Sequence, residues 1–143
     1  KIQKDKNFLI YGYKLIRKEL RDTPKTSKLG KLNKRNLLLS LYDELTNGKQ
    51  VRESSDISEL AKKFYKVYRE IGGIRSWDKT NIDIDFHLVA CTSIHKLDIL
   101  VSDDQKTLLS KPALKAYKDV LKKEGIQLPR FWKLVDLKRR YVF

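Results

Sequence analysis

The sequence predicts an α/β fold in which a mainly parallel sheet is flanked by helices. Amphipathic segments with helical spacing alternate with short apolar runs along the 143 residues. One run, Ile99-Leu100-Val101, is apolar without alternation, as in a central parallel strand covered on both faces. The length is that of one domain, so we expect residues 1–143 to form a single domain.

The first part of the chain contains an apolar run and two predicted helices. Residues 8–11 read as a buried strand or the start of a helix. Apolar residues at helical spacing then predict a helix over residues 13–21, and the pattern breaks at Pro24. After a lysine-rich loop, a second helix is predicted over residues 33–46, closed by Asn47-Gly48.

The third helix has the clearest pattern. Ser55 or Asp56 can cap it, and Gly72-Gly73 ends it. Its apolar face recurs at i, i+3, i+4 and i+7, through Ile57, Leu60, Ala61, Phe64, Tyr68 and Ile71. We interpret the aromatic residues of this face as core rather than as a base-stacking platform.

The second half continues the alternation. Asn81 can cap a fourth helix over residues 82–95, which precedes the run Ile99-Leu100-Val101. A further helix is predicted over residues 112–124, with Gly125 where a C-cap glycine belongs. Residues 131–137 are predicted as a last strand before a basic tail.

The charge balance favours polyanionic partners. Thirty-two Lys and Arg against 18 Asp and Glu give a formal charge of +14. The alternative is a lysine-rich surface that is simply well solvated. No apolar stretch approaches the roughly 20 residues of a membrane span, and no signal peptide opens the chain, so we expect no membrane partner. With one cysteine, Cys91, the chain cannot form an internal disulfide, which favours a cytoplasmic setting.

Three carboxylates stand apart from the scattered surface acids. Asp85 lies in the first turn of the fourth helix, Asp104 follows the predicted strand, and Glu19 lies toward the end of the first helix. Asp85 and Asp104 would reach the edge where strand ends and helix starts meet. Clustered carboxylates stay ionised if a hard cation such as Mg²⁺ or Mn²⁺ neutralises them, and such an ion supports phosphodiester hydrolysis.

Each acid also has a simpler interpretation. Asp85 is favoured by the helix dipole alone, Asp104 could be an ordinary turn residue, and Glu19 could pair with a neighbouring cation. The sequence gives little support for a nucleotide-binding loop or a zinc site. The glycines match no phosphate-binding loop, and His87 and His95 have poor spacing for zinc.

The acidic motifs resemble those of PIN-domain nucleases. The resemblance rests on Glu19-Leu20, on Asp85 in "DFHLVACTSI", and on "DILVSDD", where Ser102 precedes the final acid Asp104. The segment "RKELRDTPK" is similar to archaeal-type members, and the likeness covers roughly residues 8–109. Family members begin with a strand that ends in a metal-binding Asp. We expect this chain to lack that strand, which puts activity of this form in doubt.

The resemblance implies a three-layer α/β/α fold and a metal-dependent endoribonuclease, which could be the toxin of a toxin–antitoxin pair. Glu19, Asp85 and Asp104 would be the catalytic and metal-binding residues for Mg²⁺ or Mn²⁺. Polar neighbours would support them: Asp83, Asp103 and Ser102. The substrate would be single-stranded or structured RNA, whose phosphates would contact Lys25, Lys28, Lys31, Lys34 and Arg35. An antitoxin protein and a second copy of the chain are further candidate partners.

The alternative function belongs to a different class. The chain would be a non-catalytic nucleic-acid-binding or scaffold protein that keeps the PIN fold without a competent site. The absence of the first strand favours this reading, whereas the joint presence of Glu19, Asp85 and Asp104 favours the enzyme.

Overall fold

The structure is a computed structural model that describes residues 9–78 and 82–141. Six helices lie in these ranges: α1 Lys14–Arg21, α2 Lys34–Thr46, α3 Ser55–Glu70, α4 Ile82–Ile94, α5 Lys111–Glu124 and α6 Leu134–Tyr141. The four strands are β1 Lys28–Leu29, β2 Leu32–Asn33, β3 Ile99–Val101 and β4 Arg130–Trp132. The chain divides into two compact units, an N-terminal unit over Lys1–Arg52 and a C-terminal unit over Glu53–Phe143.

The N-terminal unit is held together by polar contacts between α1 and α2. Arg17 makes a bidentate ion pair with Asp43, with Nε–Oδ1 at 2.9 Å and Nη2–Oδ2 at 3.0 Å. The Tyr42 hydroxyl accepts a hydrogen bond from the Tyr13 N–H at 2.6 Å and donates to the Tyr13 carbonyl at 3.1 Å. A Cβ at Gly12 would overlap this hydroxyl, so the close approach of the chain to α2 requires glycine there.

Between these two helices the chain forms a β-hairpin. Strands β1 and β2 pair antiparallel, with Leu29 opposite Leu32 and Lys28 opposite Asn33. Gly30 opens the two-residue turn with φ +64°, as the first position of a type II′ turn requires. The sequence patterns marked this segment only as a break between helices.

The core of the C-terminal unit lies where α4 and α5 pack against α3. Its buried apolar side chains come mainly from these three helices. Phe86 of α4 is fully buried. Its ring lies 5.4–6.4 Å, between centroids, from five aromatic rings, those of Phe64, Tyr65, Tyr68, Trp77 and Tyr117. Phe64 and Tyr68 are buried in this cluster, which confirms their interpretation as core.

The predicted fold class is wrong. Helices dominate, and the described residues contain only two sheets of two strands each, not a mainly parallel sheet in a three-layer α/β/α arrangement. Strand β3 is correctly predicted and pairs parallel with β4, but each strand has only three residues. Leu9, Ile10 and Tyr11 form no strand, and both Leu9 and Tyr11 are exposed.

The predicted last strand is also cut short, for a local reason. Strand β4 ends at Trp132, and α6 begins at Leu134. The Asp136 carboxylate accepts a hydrogen bond from the Lys133 N–H at 2.9 Å, and Asp103 accepts one from the Leu134 N–H at 2.9 Å. Because these carboxylates satisfy N–H groups at the start of α6, they stabilise a helix where the apolar residues indicated a strand.

The five predicted helices are confirmed as α1 to α5, with ends that differ by at most two residues. The predicted caps of α3, Ser55 or Asp56, are wrong, because its N-cap is Ser54. Gly125 is the left-handed C-cap of α5, with φ +68°. Phe8 and the predicted cap Asn81 lie outside the described residues. In the part of the chain that the structure describes, no helix is long and apolar enough to cross a membrane. The organisation of residues 1–143 as one domain stays a prediction.

Phe86→Ala should lower the free energy of unfolding by about 3–5 kcal/mol, because it opens a cavity at the centre of the aromatic cluster. Ile74→Ala is the control, since Ile74 is 87% exposed and its change should stay within about 0.5 kcal/mol. Urea unfolding followed by tryptophan fluorescence measures both. Equal effects of the two substitutions would contradict the central place of Phe86.

Candidate functional site

Asp85 is placed by the anchoring of α4 in the core. It lies in the first turn of α4, half-buried, and directly precedes the fully buried Phe86. The N-terminus of a helix carries a partial positive charge, which favours a carboxylate at this position. Asp83 lies in the same turn. Asp85 is therefore an ionisable group on a rigid element rather than on a mobile loop.

Asp104 is placed by the loop that follows β3. Its carboxylate accepts hydrogen bonds from the Lys106 N–H and the Thr107 N–H, both at 3.0 Å, and from the Thr107 hydroxyl. Partial burial raises the pKa of the Asp104 carboxyl, but these hydrogen bonds and the positive charge of Arg75 outweigh it, so that pKa is lowered from its ordinary value. Asp104 thus organises its own turn and stays ionised well into the acidic range.

Tyr117 is a buried residue whose pKa is influenced by both aspartates. Its buried hydroxyl donates a hydrogen bond to the Leu108 carbonyl at 2.9 Å. Burial raises the pKa of Tyr117 well above its ordinary value, and the negative charges of Asp85 and Asp104 raise it further. Both carboxylates are therefore within electrostatic range of one buried hydroxyl. The Phe86 ring of α4 lies 5.5 Å, between centroids, from the Tyr117 ring, so the start of α4 and the segment that follows Asp104 both adjoin Tyr117.

Arg75 belongs to this region and was missed by the sequence patterns. It lies in the loop after α3, whose backbone is held by two tyrosines of that helix. The Tyr68 hydroxyl accepts a hydrogen bond from the Arg75 N–H, and the Tyr65 hydroxyl donates one to the Arg75 carbonyl, each at 3.2 Å. A Cβ at Gly73 would overlap the Tyr68 ring, so the second glycine of Gly72-Gly73 is the one sequence signal for this close approach.

Glu19 lies in the N-terminal unit, as an exposed residue of α1. Over residues 9–78 and 82–141 there is no group of three or more His, Cys, Asp or Glu side chains that could hold a metal ion. The shared site of Glu19, Asp85 and Asp104 stays a prediction. Asp85 and Asp104 both lie in the C-terminal unit.

The predicted supporting residues Ser102, Asp103 and Asp83 make hydrogen bonds that involve backbone groups. Ser102 Oγ accepts a hydrogen bond from the Asp104 N–H at 3.1 Å. Asp103 directs its carboxylate to the N-terminus of α6. The Asp83 carbonyl contacts His87 Nδ1 at 2.6 Å. Ser102 therefore shapes the Asp104 turn directly, whereas Asp103 connects the same loop to α6.

The contacts of His87 and Cys91 are those of residues that stabilise the fold. A carbonyl can only accept, so His87 Nδ1 donates to the Asp83 carbonyl, and in the neutral ring Nε2 then accepts from the Ser58 hydroxyl at 3.1 Å. His87 thus connects α4 to α3. Cys91 is buried, and burial raises the pKa of its thiol to about 12, with a smaller contribution from the charge of Glu53. Cys91 is therefore a core residue, and a thiol with so high a pKa is not a nucleophile at neutral pH.

The predicted phosphate-binding residues lie on and beside the hairpin. Lys25, Lys28, Lys31 and Lys34 are exposed, and Arg35 is half-buried. The basic charge is concentrated in their unit. Residues 1–52 carry fourteen Lys and Arg against five Asp and Glu, whereas residues 53–143 carry eighteen against thirteen. No family model, curated protein or solved structure matches the chain.

Asp104→Asn should destabilise the protein at pH 7 and have a much smaller effect at pH 2.5. A lowered folded-state pKa contributes stability that is present above the unfolded pKa of about 3.9 and is lost as pH falls through the folded pKa. Urea unfolding at both pH values measures the difference from wild type. Thr107→Val, which removes one donor, should show the same pH trend with a smaller size. A difference that does not change with pH would contradict a charged Asp104 as the source of the stability.

Proposed function

We propose that the protein hydrolyses RNA phosphodiester bonds with a divalent cation held at Asp85 and Asp104. The observation that supports the proposal is that the start of α4 and the loop after β3 both adjoin Tyr117, through the Phe86 ring and the Leu108 carbonyl. The negative charges of Asp85 and Asp104 both raise the pKa of Tyr117, and a cation would neutralise two such carboxylates. The resemblance of the acidic motifs to PIN-domain nucleases supports the same reaction.

The donor set fits Mg²⁺ or Mn²⁺. Both donors are carboxylates, and hard cations prefer oxygen ligands. Mg²⁺ commonly binds through one or two carboxylates and takes its other ligands from water and substrate phosphate, so Asp85 and Asp104 are enough to start a site. Such a cation, when bound, polarises the phosphate and lowers the pKa of a water molecule.

The residues around the carboxylates assist in ways that follow from their charge. Asp85 lies at the N-terminus of α4, where the helix dipole favours a negative charge. Arg75, close enough to lower the pKa of Asp104, adds positive charge that attracts a phosphodiester to this region. We assign Asp85 and Asp104 to cation binding and Arg75 to substrate binding.

RNA binding in this proposal rests on the basic N-terminal unit. Neutralisation of phosphates by lysine and arginine releases counterions, which gives strong, salt-dependent affinity without sequence preference. The exposed lysines around the hairpin are placed for such contacts. A toxin function with an antitoxin partner is supported by the resemblance alone.

A second candidate is a nucleic-acid-binding protein without catalysis. One observation favours it. Asp103 and Asp104 both accept hydrogen bonds from nearby backbone N–H groups. These hydrogen bonds account for the presence of an acid at both positions without any bound cation. In this case the basic unit would bind RNA, and the carboxylates would only stabilise loops.

Asp85→Asn should abolish cleavage of RNA that wild type performs only with Mg²⁺ or Mn²⁺. Asparagine keeps the shape of the side chain but removes the charge that holds a hard cation. RNA binding in EDTA should stay unchanged or become slightly tighter, because a negative charge near the phosphates is lost. Asp56→Asn is the matched control, since Asp56 is an exposed acid in the first turn of α3. Gel analysis of a labelled RNA measures cleavage, and anisotropy measures binding.

Two outcomes would count against the enzyme. Metal-independent cleavage that survives Asp85→Asn would point to another mechanism, and a wild type that binds RNA but cuts none would favour the non-catalytic candidate.

A further inference from the structure

The β1–β2 hairpin presents an apolar pair to solvent. Leu29 and Leu32 lie directly opposite each other in the antiparallel register, so their side chains share one face. They are 60% and 58% exposed. Two neighbouring leucines at the end of a tight turn form an exposed apolar tip, which we call the leucine tip.

The leucine tip stands on a well-anchored base. The Lys34 N–H donates to the Ser27 carbonyl at 3.0 Å, which extends the hairpin by one further hydrogen bond. The Asn33 side chain donates to the Lys25 carbonyl at 2.9 Å and accepts from the Asn36 N–H at 3.1 Å. Asn33 therefore caps α2 and holds the preceding loop at the same time, so the hairpin is fixed to the start of a helix.

The surroundings of the leucine tip are exclusively cationic in sequence. Residues 23–42 contain five Lys and Arg and no Asp or Glu. Lys28, Lys31 and Lys34 are exposed beside the two leucines. A ligand that is complementary to this surface has an apolar part for the leucines and closely spaced negative charges for the lysines. The face of a nucleic-acid base between two phosphates has this combination.

We propose that the leucine tip packs against the base pair exposed where an RNA duplex opens into a single strand, while Lys28, Lys31 and Lys34 bind the flanking phosphates. The inference rests on the proposed function, in that RNA is the ligand, and it names the RNA class as one with a duplex–single-strand junction. Apolar side chains of this size act as wedges at base steps in other nucleic-acid complexes. Two leucines offer less apolar area than one acyl chain, which alone binds membranes only marginally, so RNA is the better match than a lipid surface.

The test compares the affinity for two RNAs of equal length, a stem-loop with a single-stranded tail and an unstructured strand. Anisotropy in EDTA avoids cleavage. Wild type should bind the junction RNA about tenfold more tightly, which corresponds to about 1.4 kcal/mol. The double substitution Leu29→Ser with Leu32→Ser should remove this preference and leave the salt dependence of binding unchanged, because no charge is altered. The matched control is Leu41→Ser with Leu45→Ser, two leucines of α2 that are 46% and 47% exposed.

The outcomes separate this inference from the proposed function. Loss of the preference in the hairpin variant alone supports the leucine tip. Preference retained in that variant, or lost equally in the α2 control, overturns it. RNA binding and metal-dependent cleavage without any junction preference overturn the inference and leave the proposed function standing. A wild type that binds no RNA, but binds vesicles of phosphatidylserine and phosphatidylcholine through the two leucines, overturns both.

Discussion

The packing of Phe86 among the rings of α3 and α5 is the constraint on which the C-terminal unit depends. Because Phe86 is fully buried, the first turn of α4 is fixed, and the neighbouring Asp85 is held at a defined place. Tyr117 belongs to the same aromatic cluster, and its hydroxyl lies within range of both candidate carboxylates. Core packing therefore positions Asp85, whereas Asp104 is positioned by the hydrogen bonds of its own loop.

The helices could be predicted from sequence, whereas the sheet could not. Helical periodicity in α3 extends over four turns, so its apolar face is unambiguous. The strands have two or three residues each, too few for any periodicity to show. The apolar residues after β4 were assigned to a strand, but Asp103 and Asp136 satisfy the first N–H groups of α6 and favour helix instead. The Asp103 contact joins residues 31 apart in sequence and leaves no local pattern.

The candidate site was predictable only in part, for a similar reason. Asp85 and Asp104 could be found because each follows directly from an element boundary visible in sequence. Arg75 could not, since its place depends on how the loop after α3 folds over Tyr65 and Tyr68. The hairpin was hidden within a segment that looked like a linker. Only the register of β1 and β2 shows that Leu29 and Leu32 lie opposite each other in a hairpin.

The most direct test of the account is Mn²⁺ binding measured by electron paramagnetic resonance, with Mg²⁺ as competitor. If Asp85 and Asp104 form a cation site, wild type should bind Mn²⁺ and release it to Mg²⁺. Asp85→Asn and Asp104→Asn should each weaken binding about tenfold or more, which corresponds to about 1.4 kcal/mol, while the control Asp56→Asn should not. Equal Mn²⁺ binding by wild type and both site variants, or no binding by wild type, would contradict a cation site at these two aspartates.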